Sequence, residues 1–299
     1  MKKVLVLLLA AAMALSVLTA CASTTPEASE SASASTQPAA SVSESAAPSE
    51  SAAASESAPA AADASLDYIK EKGNIILGLD ASFPPMGFKD DSGNIVGFDI
   101  DLAKEVASRM EVELKLQPID WTAKELELNN KNIDLIWNGM TITPERQESM
   151  TMSAPYMENK QIVVVLKDSE IQKLEDLKGK DVAVQDGSSA QSALAADADL
   201  LSSINQIDFK DNVTALMDLK NGQVDALAVD SVVADYYTSQ EPDTFRILDE
   251  SLAPEQYGIG FRKGEQAFAH AVQAALDEMK KDGTFEKISM EWFGRNVAL

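Results

Sequence analysis

The segment 133–146, IDLIWNGMTITPER, places an arginine where it could bind an anion. Its apolar start predicts a buried strand, and Asn138-Gly139 predicts a tight turn because this pair tolerates positive φ. Thr143 is a suitable N-cap and Pro144 suits the first helical position, so Arg146 falls in the first turn of a helix. Unpaired N–H groups at a helix start and a planar guanidinium both bind carboxylates. Taken alone, the segment also suits an ordinary α/β turn whose arginine contacts solvent or a surface acid.

Two further predicted strands end in polar groups. Strand 182–184 is followed by Ser188-Ser189 at a helix start, and strand 226–229 is followed by Asp230. In an α/β sheet such strand exits lie at one edge. The serines and Arg146 could donate to a carboxylate, and Asp230 could accept from an ammonium group. Together these residues predict a site for an α-amino acid.

Asp80, Phe83 and Trp121 also stand at strand exits, where they could form a pocket for the ligand's side chain. Aromatic rings offer flat apolar walls and can hold a cation over a ring face. The alternatives are a turn-forming role for Asp80 and core packing for the two aromatic residues. Asp99 and Asp101 are predicted to be helix caps.

The elements that would position these residues alternate regularly. From Leu66 onward, predicted strands alternate with helices, which indicates a largely parallel α/β sheet. Residues 72–80 align without gaps with 178–186, and 128–136 align with 219–227 in the same order. This repeat suggests two lobes of similar build, whose facing sheet edges would form a cleft.

Composition limits the classes of function. The chain has 299 residues, of which 45% are hydrophobic, and this is enough for one large or two modest cores. Its formal charge of −23 disfavours nucleic acid as a partner. Cys21 is the single cysteine, so neither a disulfide nor a zinc cluster is expected. His270, the single histidine, is predicted to be structural or surface-exposed, and no metal site or cofactor is expected.

The N-terminal residues predict export. Lys2 and Lys3 precede an apolar run at 4–17, which is typical of a secretory signal and short for a membrane span. The run leads into Leu18-Thr19-Ala20-Cys21, which resembles a lipobox, so Cys21 is expected to carry acyl chains that anchor the chain at the membrane. An ordinary signal peptide with a chance cysteine is the alternative. Residues 22–65, rich in Ser, Ala and Pro, predict a disordered tether.

From about Leu66 to Gly294 the chain resembles the polar amino-acid solute-binding proteins (family 3) of ABC importers. The markers are the segment 133–146 together with GFDIDLAKEVASRM, SAPYMENKQIVVV, LKGKDVAVQDGSS and DGTFEKISMEWFG. The resemblance implies the two-lobed, type II periplasmic-binding-protein fold, in which each lobe is a mostly parallel sheet flanked by helices and two crossings form the hinge. The expected division is a signal peptide at 1–20, the lipidated cysteine and tether at 21–65, lobe 1 at 66–160 plus 257–299, and lobe 2 at 161–256.

At matching positions the resemblance also implies roles. Arg146 would clamp the ligand carboxylate, helped by Ser188 and Ser189. The α-ammonium would meet Asp230 and groups of the segment 133–146, namely a backbone oxygen of Asn138 or Gly139 and the Thr141 hydroxyl. Phe83 and Trp121 would sandwich the side chain, and Asp80 would meet its polar end. Ala190 departs from the pattern, because some binders of basic amino acids carry a polar side chain there.

The function implied is capture of a polar L-amino acid by lobe closure and its delivery to an ABC permease and its ATPase at the extracytoplasmic face of the membrane. A monomer is expected. Charge counting favours a basic side chain because Asp80 is otherwise uncompensated, while an amide or cystine stays open. The alternatives are an exported cyclohexadienyl-type dehydratase, with Asp80 as the acid, and a ligand-sensing lipoprotein.

Overall fold

The computed structural model describes residues 63–299. The expected signal peptide at 1–20, Cys21 and nearly all of the tether lie outside the described residues. At the tether's C-terminal end, Ser65 is buried and begins the first helix, so regular structure starts one residue before the expected boundary.

Ten helices and twelve strands alternate along the described part of the chain. The helices are α1 (Ser65–Lys72), α2 (Phe98–Arg109), α3 (Lys124–Asn129), α4 (Pro144–Ser149), α5 (Ser189–Ala196), α6 (Ala198–Ser203), α7 (Asn212–Lys220), α8 (Ser231–Gln240), α9 (Gln266–Asp282) and α10 (Thr284–Phe293). The strands are β1 (Asn74–Leu79), β2 (Ser82–Phe83), β3 (Gly87–Lys89), β4 (Ile95–Val96), β5 (Glu113–Pro118), β6 (Leu135–Thr141), β7 (Met150–Met152), β8 (Met157–Leu166), β9 (Asp181–Gln185), β10 (Asn205–Phe209), β11 (Ala226–Asp230) and β12 (Phe245–Arg262). Short 3₁₀ turns lie at Trp121–Ala123 and Leu174–Leu177.

The main sheet has the strand order β10-β9-β11-β8-β12-β6-β1-β5, with β7 paired to β12. Strand β1 pairs in parallel with β5 and β6, and β9 pairs in parallel with β10 and β11. These two parallel groups have the same internal order and are built on the two copies of the sequence repeat. The predicted α/β class with mostly parallel sheets is confirmed.

Strands β8 and β12 connect the two groups. They run antiparallel to each other, and β8 pairs with β11 whereas β12 pairs with β6. The expected lobe boundaries at 160/161 and 256/257 fall inside these two strands. We call lobe 1 the part built on β1, β5 and β6, and lobe 2 the part built on β9, β10 and β11; β8 and β12 form the hinge strands.

The C-terminal helices complete lobe 1. Helix α9 packs on α1 and α2, and α10 packs on α2 and α9. Phe98 meets Phe285 and Phe293 edge-on, with ring centroids 5.7 and 5.0 Å apart. The C-terminal helices therefore pack on the elements of lobe 1. Among residues 63–299, no helix combines the length and apolar character that crossing a membrane would require.

Candidate functional site

A small cavity lies between the lobes at the carboxyl ends of the parallel strands. Its walls contain nine of the ten side chains expected from the sequence, together with one that was missed. The lining residues are Asp80, Phe83, Trp121, Asn138, Gly139, Arg146, Gln185, Ser188, Ser189 and Asp230.

Arg146 is a buried cation at one end of this cavity. Helix α4 begins as predicted, because the Thr143 hydroxyl accepts the Arg146 N–H at 3.2 Å and Pro144 takes the first helical position. The guanidinium Nη1 donates to the Thr141 carbonyl at 2.8 Å. No carboxylate of residues 63–299 lies within 4.0 Å of it, and burial lowers its pKa. The guanidinium nevertheless stays protonated, so an anionic group in the cavity would find a desolvated cation.

The start of helix α5 supplies hydroxyl groups from lobe 2. Ser188 is its N-cap, accepting the Gln191 N–H at 3.2 Å, so this oxygen already has a partner. Ser189 Oγ accepts from the Thr141 hydroxyl of lobe 1 at 2.9 Å and from Gln161 Nε2 at 3.0 Å. Thr141 contacts Ser189 across the cleft but is not among the residues that line the cavity, whereas the other nine expected residues are.

Asp230, at the end of β11, is a buried carboxyl group. One oxygen, Oδ1, accepts from Asn159 Nδ2 at 2.7 Å, from Gln161 Nε2 at 2.8 Å and from the Tyr257 hydroxyl at 2.6 Å. Burial, followed by the charge of neighbouring Glu255, raises the pKa of Asp230 well above its usual range. All these protein donors are neutral, so a cationic group is the natural complement of this carboxylate.

Asp80 is buried where β1 ends, on the opposite side of the cleft from Gln185. Its carboxylate accepts the Ser82 N–H at 2.9 Å and Gln185 Nε2 at 2.7 Å, and its own N–H donates to Asn138 Oδ1 at 3.0 Å. Burial raises the pKa of Asp80, and the bond from Gln185 acts in the opposite direction. The sequence analysis did not identify Gln185 as a site residue. Its signal was that Gln185 aligns with the apolar Leu79 in the internal repeat, so a polar residue ends the second strand.

Phe83 and Trp121 are almost fully buried, and both contribute to the cavity wall. Lys124 was not expected near the site. Its Nζ lies 5.0 Å from the Trp121 ring centroid and donates to the carbonyls of Trp121 and Gly187, each at 3.1 Å. Burial, and then the charge of Arg146, lower the pKa of Lys124 to about 8. Lysine in a short polar helix carries no sequence signal that it points inward.

Two local predictions were wrong. Asn138 and Gly139 lie within strand β6 rather than in a turn, with Gly139 at φ +59° and a register shift of β12 opposite. Asp99 does not cap α2, which has Gly97 at its N-cap; it accepts the Gly139 N–H at 2.7 Å and the Tyr156 hydroxyl at 2.9 Å. Burial raises the pKa of Asp99 to about 7. A buried acceptor for the Gly139 N–H explains why the strand distorts and continues instead of turning.

The remaining candidates lie outside the cavity. Asp101 accepts from Lys104 and from the Trp292 indole, each at 2.9 Å, so it too is not a cap. His270 is exposed on α9. Within residues 63–299, no group of three or more His, Cys, Asp or Glu side chains could hold a metal ion.

Comparisons with known proteins agree on one family. The family model described as bacterial extracellular solute-binding proteins, family 3, matches residues 75–295. The L-cystine-binding protein TcyJ of Escherichia coli is 32% identical over 239 residues, covering 79% of this chain and 89% of TcyJ. The arginine-binding extracellular protein ArtP of Bacillus subtilis is 33% identical, covering 74% and 87%. An ABC uptake transporter substrate binding protein from Streptococcus pneumoniae, solved with bound histidine, has a TM-score of 0.77 at 36% identity, covering 80% of this chain and 99% of that one.

Proposed function

This chain belongs to the family 3 bacterial extracellular solute-binding proteins, and we propose that it captures an L-amino acid outside the cytoplasm and passes it to an ABC permease. One observation carries the proposal. The same cavity is lined by buried Arg146 of lobe 1 and buried Asp230 of lobe 2, and neither forms an ion pair within residues 63–299. An α-amino acid brings a carboxylate for the first and an ammonium group for the second.

Placing the two charges on different lobes gives a cause for closure. A ligand that contacts both lobes binds the closed arrangement more tightly than the open one, so it shifts the population toward the closed form. The permease would then recognise that form. The lobes serve as rigid halves, and strands β8 and β12 act as the hinge.

A basic side chain is the substrate class that we propose. Asp80 lies in the cavity wall without a cationic partner within 4.0 Å in the described part of the chain, and its protein donors are an amide group and a backbone N–H. A guanidinium or ammonium side chain would compensate the Asp80 charge, and the flat rings of Phe83 and Trp121 would hold it. The relatives named above bind arginine, histidine and cystine according to their names, which supports a polar ligand.

We propose binding without turnover. Asp80, the acid that a dehydratase would need, accepts a hydrogen bond at each carboxyl oxygen, from the Ser82 N–H and from the Gln185 amide. The relatives named are binding proteins, which supports the same reading. Conversion of a bound amino acid, or of a cyclohexadienyl acid, into a new compound during incubation with the chain would contradict it.

The mode of membrane attachment is part of the proposal. Cys21 would carry the lipid, and the segment up to the described residues would act as a tether. Cys21→Ser is expected to move the chain from the membrane fraction to the soluble fraction of an expressing cell. Retention of the variant in the membrane would rule out this anchor. The substitution Ser23→Ala, two residues after Cys21, is the matched control and should leave the chain in the membrane fraction.

Thermal unfolding of the purified chain with each standard amino acid and cystine tests the function. A ligand at about a thousandfold over its dissociation constant adds roughly 4 kcal/mol to stability, and arginine should give a larger shift than glutamine. Arg146→Ala should weaken binding about a hundredfold or more, near 3 kcal/mol, because the ligand carboxylate loses its buried partner. Lys281→Ala, at an exposed lysine of α9 outside the cavity, is the control and should keep the shift. No shift with any compound would refute the amino-acid assignment.

A further inference from the structure

Asp230 does not stand alone: a second carboxyl group, Glu255 of hinge strand β12, shares its donors. Asn159 Nδ2 lies 2.7 Å from Asp230 Oδ1 and 2.6 Å from Glu255 Oε1. Gln161 Nε2 lies 2.8 Å from each of the same two oxygens. Two amide groups therefore donate to both carboxyl groups and hold them side by side, and the charge of Glu255 contributes to the raised pKa of Asp230.

The donors at this pair are few and all neutral. Gln161 Nε2 has two hydrogens but three acceptors in range, since Ser189 Oγ also lies at 3.0 Å, and its Oε1 has no hydrogen-bond partner in the described chain. The Tyr257 hydroxyl adds one donor, to Asp230 only. No lysine, arginine or histidine of residues 63–299 lies within 4.0 Å of either carboxyl group.

Charged groups farther from the pair do not offset the repulsion between its two carboxylates. Arg146 feels the charges of both acids but directs Nη1 to the Thr141 carbonyl. A groove beside the hinge strands, which we call the outer groove, is lined by Glu255 together with Glu158, Lys160 and Arg295. Two carboxylates that share the same amide donors, one of them buried, repel each other, and no cation lies within 4.0 Å in the described chain to offset the repulsion. Either a proton or an ammonium group must fill that place.

We propose that the Asp230–Glu255 pair holds one proton when the cavity has no ligand, and that the α-ammonium of an amino acid displaces this proton on binding. The O–H bond of the carboxyl pair breaks, the proton leaves to water, and the pair, now doubly negative, is compensated by the ammonium group. The ammonium group and the two carboxylates together then carry the same net charge as the singly protonated pair, while Arg146 compensates the ligand carboxylate. Glu255 acts as a positioning residue in this step, since it reaches the ligand only through Asp230. The proposal rests on the proposed function.

The outer groove offers the proton an exit. Within the pair, Asp230 is buried, whereas Glu255 is half-buried and lines the outer groove. A proton shared by the two acids can therefore reach solvent on the hinge side without passing through a cavity that the ligand occupies. This arrangement makes release compatible with lobe closure.

Isothermal titration of the full chain with L-arginine and with L-glutamine tests the proposal. Neither amino acid changes its own charge between mildly acidic and mildly alkaline pH. In two buffers of different ionisation enthalpy, the observed heat should differ by the amount expected for up to one released proton. The association constant should rise with pH, by at most about tenfold per unit, and level off once the pair is ionised in the free protein.

Three variants locate the proton. In Glu255→Gln the amide can donate to Asp230, so the pair needs no proton, and glutamine should bind with heats that do not depend on the buffer. Glu158→Gln, an exposed neighbour on β8 that lines the same groove, should release the proton as the parent chain does. Asp80→Asn removes Asp80 as an alternative source of the released proton. Arginine could displace a proton from Asp80, whereas glutamine could not.

The outcomes are distinct. Arginine or glutamine binding with buffer-independent heat at every pH would overturn the proposal while leaving the proposed function intact. Release that persists in Glu255→Gln would also overturn it, because the proton would then come from elsewhere. Absence of binding by every amino acid would refute the proposed function and this inference with it. The buffer dependence of the parent chain decides the matter even if Glu255→Gln does not fold.

Discussion

Lys124 has an unusual position for a lysine. It is 6% exposed, its Nζ donates to two backbone carbonyls, and one of these, Gly187, belongs to the other lobe. No carboxylate of residues 63–299 lies within 4.0 Å of its Nζ. Two donated hydrogen bonds and the contact with Trp121 stabilise the charged form of Lys124. They do not fully replace its hydration, so the charged form is less stable in the fold than in water.

Stability should consequently depend on pH through Lys124. Its pKa is about 8 in the folded chain and 10.5 ordinarily, so between these values the unfolded chain binds more protons. The free energy of unfolding of the parent chain, relative to Lys124→Met, should then rise with pH across this window, by at most about 3 kcal/mol. Urea unfolding at several pH values measures this difference.

The control for that experiment is Lys281→Met, at an exposed lysine of α9. Its difference from the parent chain should stay constant with pH over the same window. A constant difference for Lys124→Met as well would mean that the buried ammonium group is not destabilised by the fold.

At the scale of elements, the distortion of β6 shapes the cavity. Every residue of this strand is buried, and Gly139 adopts φ +59° while its N–H bonds to Asp99. A Cβ at this position would lie 2.8 Å from the Phe83 ring and 3.3 Å from the Tyr257 ring. The strand can approach these two aromatic rings only because position 139 has no side chain.

Gly139→Ala should therefore destabilise the chain and weaken amino-acid binding together. Strain at positive φ costs about 1–2 kcal/mol, and the clash with Phe83 adds about 1–3 kcal/mol of overpacking. Gly93→Ala is a matched control, because Gly93 has φ +82° but no atom within 4 Å of the added Cβ. Urea unfolding should show a loss at least about 1 kcal/mol larger for position 139. Equal losses would mean that the aromatic rings yield without cost.

At the scale of the whole molecule, contacts outside the cavity also join the lobes. Phe88 of lobe 1 meets Tyr236 of α8 edge-on, with ring centroids 5.6 Å apart, and neither ring lines the ligand cavity. Such a contact exists only when the lobes are together. It should therefore contribute to ligand affinity without touching the ligand, since it favours the closed population.

Tyr236→Ala is expected to weaken amino-acid binding about fivefold to tenfold, near 1 kcal/mol, in keeping with the strength of one aromatic pair. Titration calorimetry measures the affinity. Thermal unfolding without ligand should show a loss of stability that is smaller than the loss of binding free energy. Tyr68→Ala, at a 40% exposed tyrosine of lobe 1, controls for the change of residue type and should bind normally. Unchanged affinity in Tyr236→Ala would show that closure does not depend on this contact.

Local patterns in the chain were enough to predict most of the fold and of the cavity wall. Strand β1 ends before Asp80, β11 ends at Asp230, Thr143 caps α4 and Ser188 caps α5, as their sequences indicate. These features depend on residues a few positions apart, such as an apolar run followed by a capping hydroxyl. The errors at Asn138-Gly139 and Asp99 arose where a distant partner overrides the local preference.

The sequence by itself therefore determined which side chains stand at strand exits, because periodicity and capping are local properties. Only the tertiary structure decided how those exits pair. Gln185 reaches Asp80 across 105 positions of sequence, Asp99 reaches Gly139 across 40, and Glu255 shares its amide donors with Asp230. Such pairings follow from how the two lobes pack about β8 and β12, and a buried polar group takes its protonation state from the neighbours that packing provides.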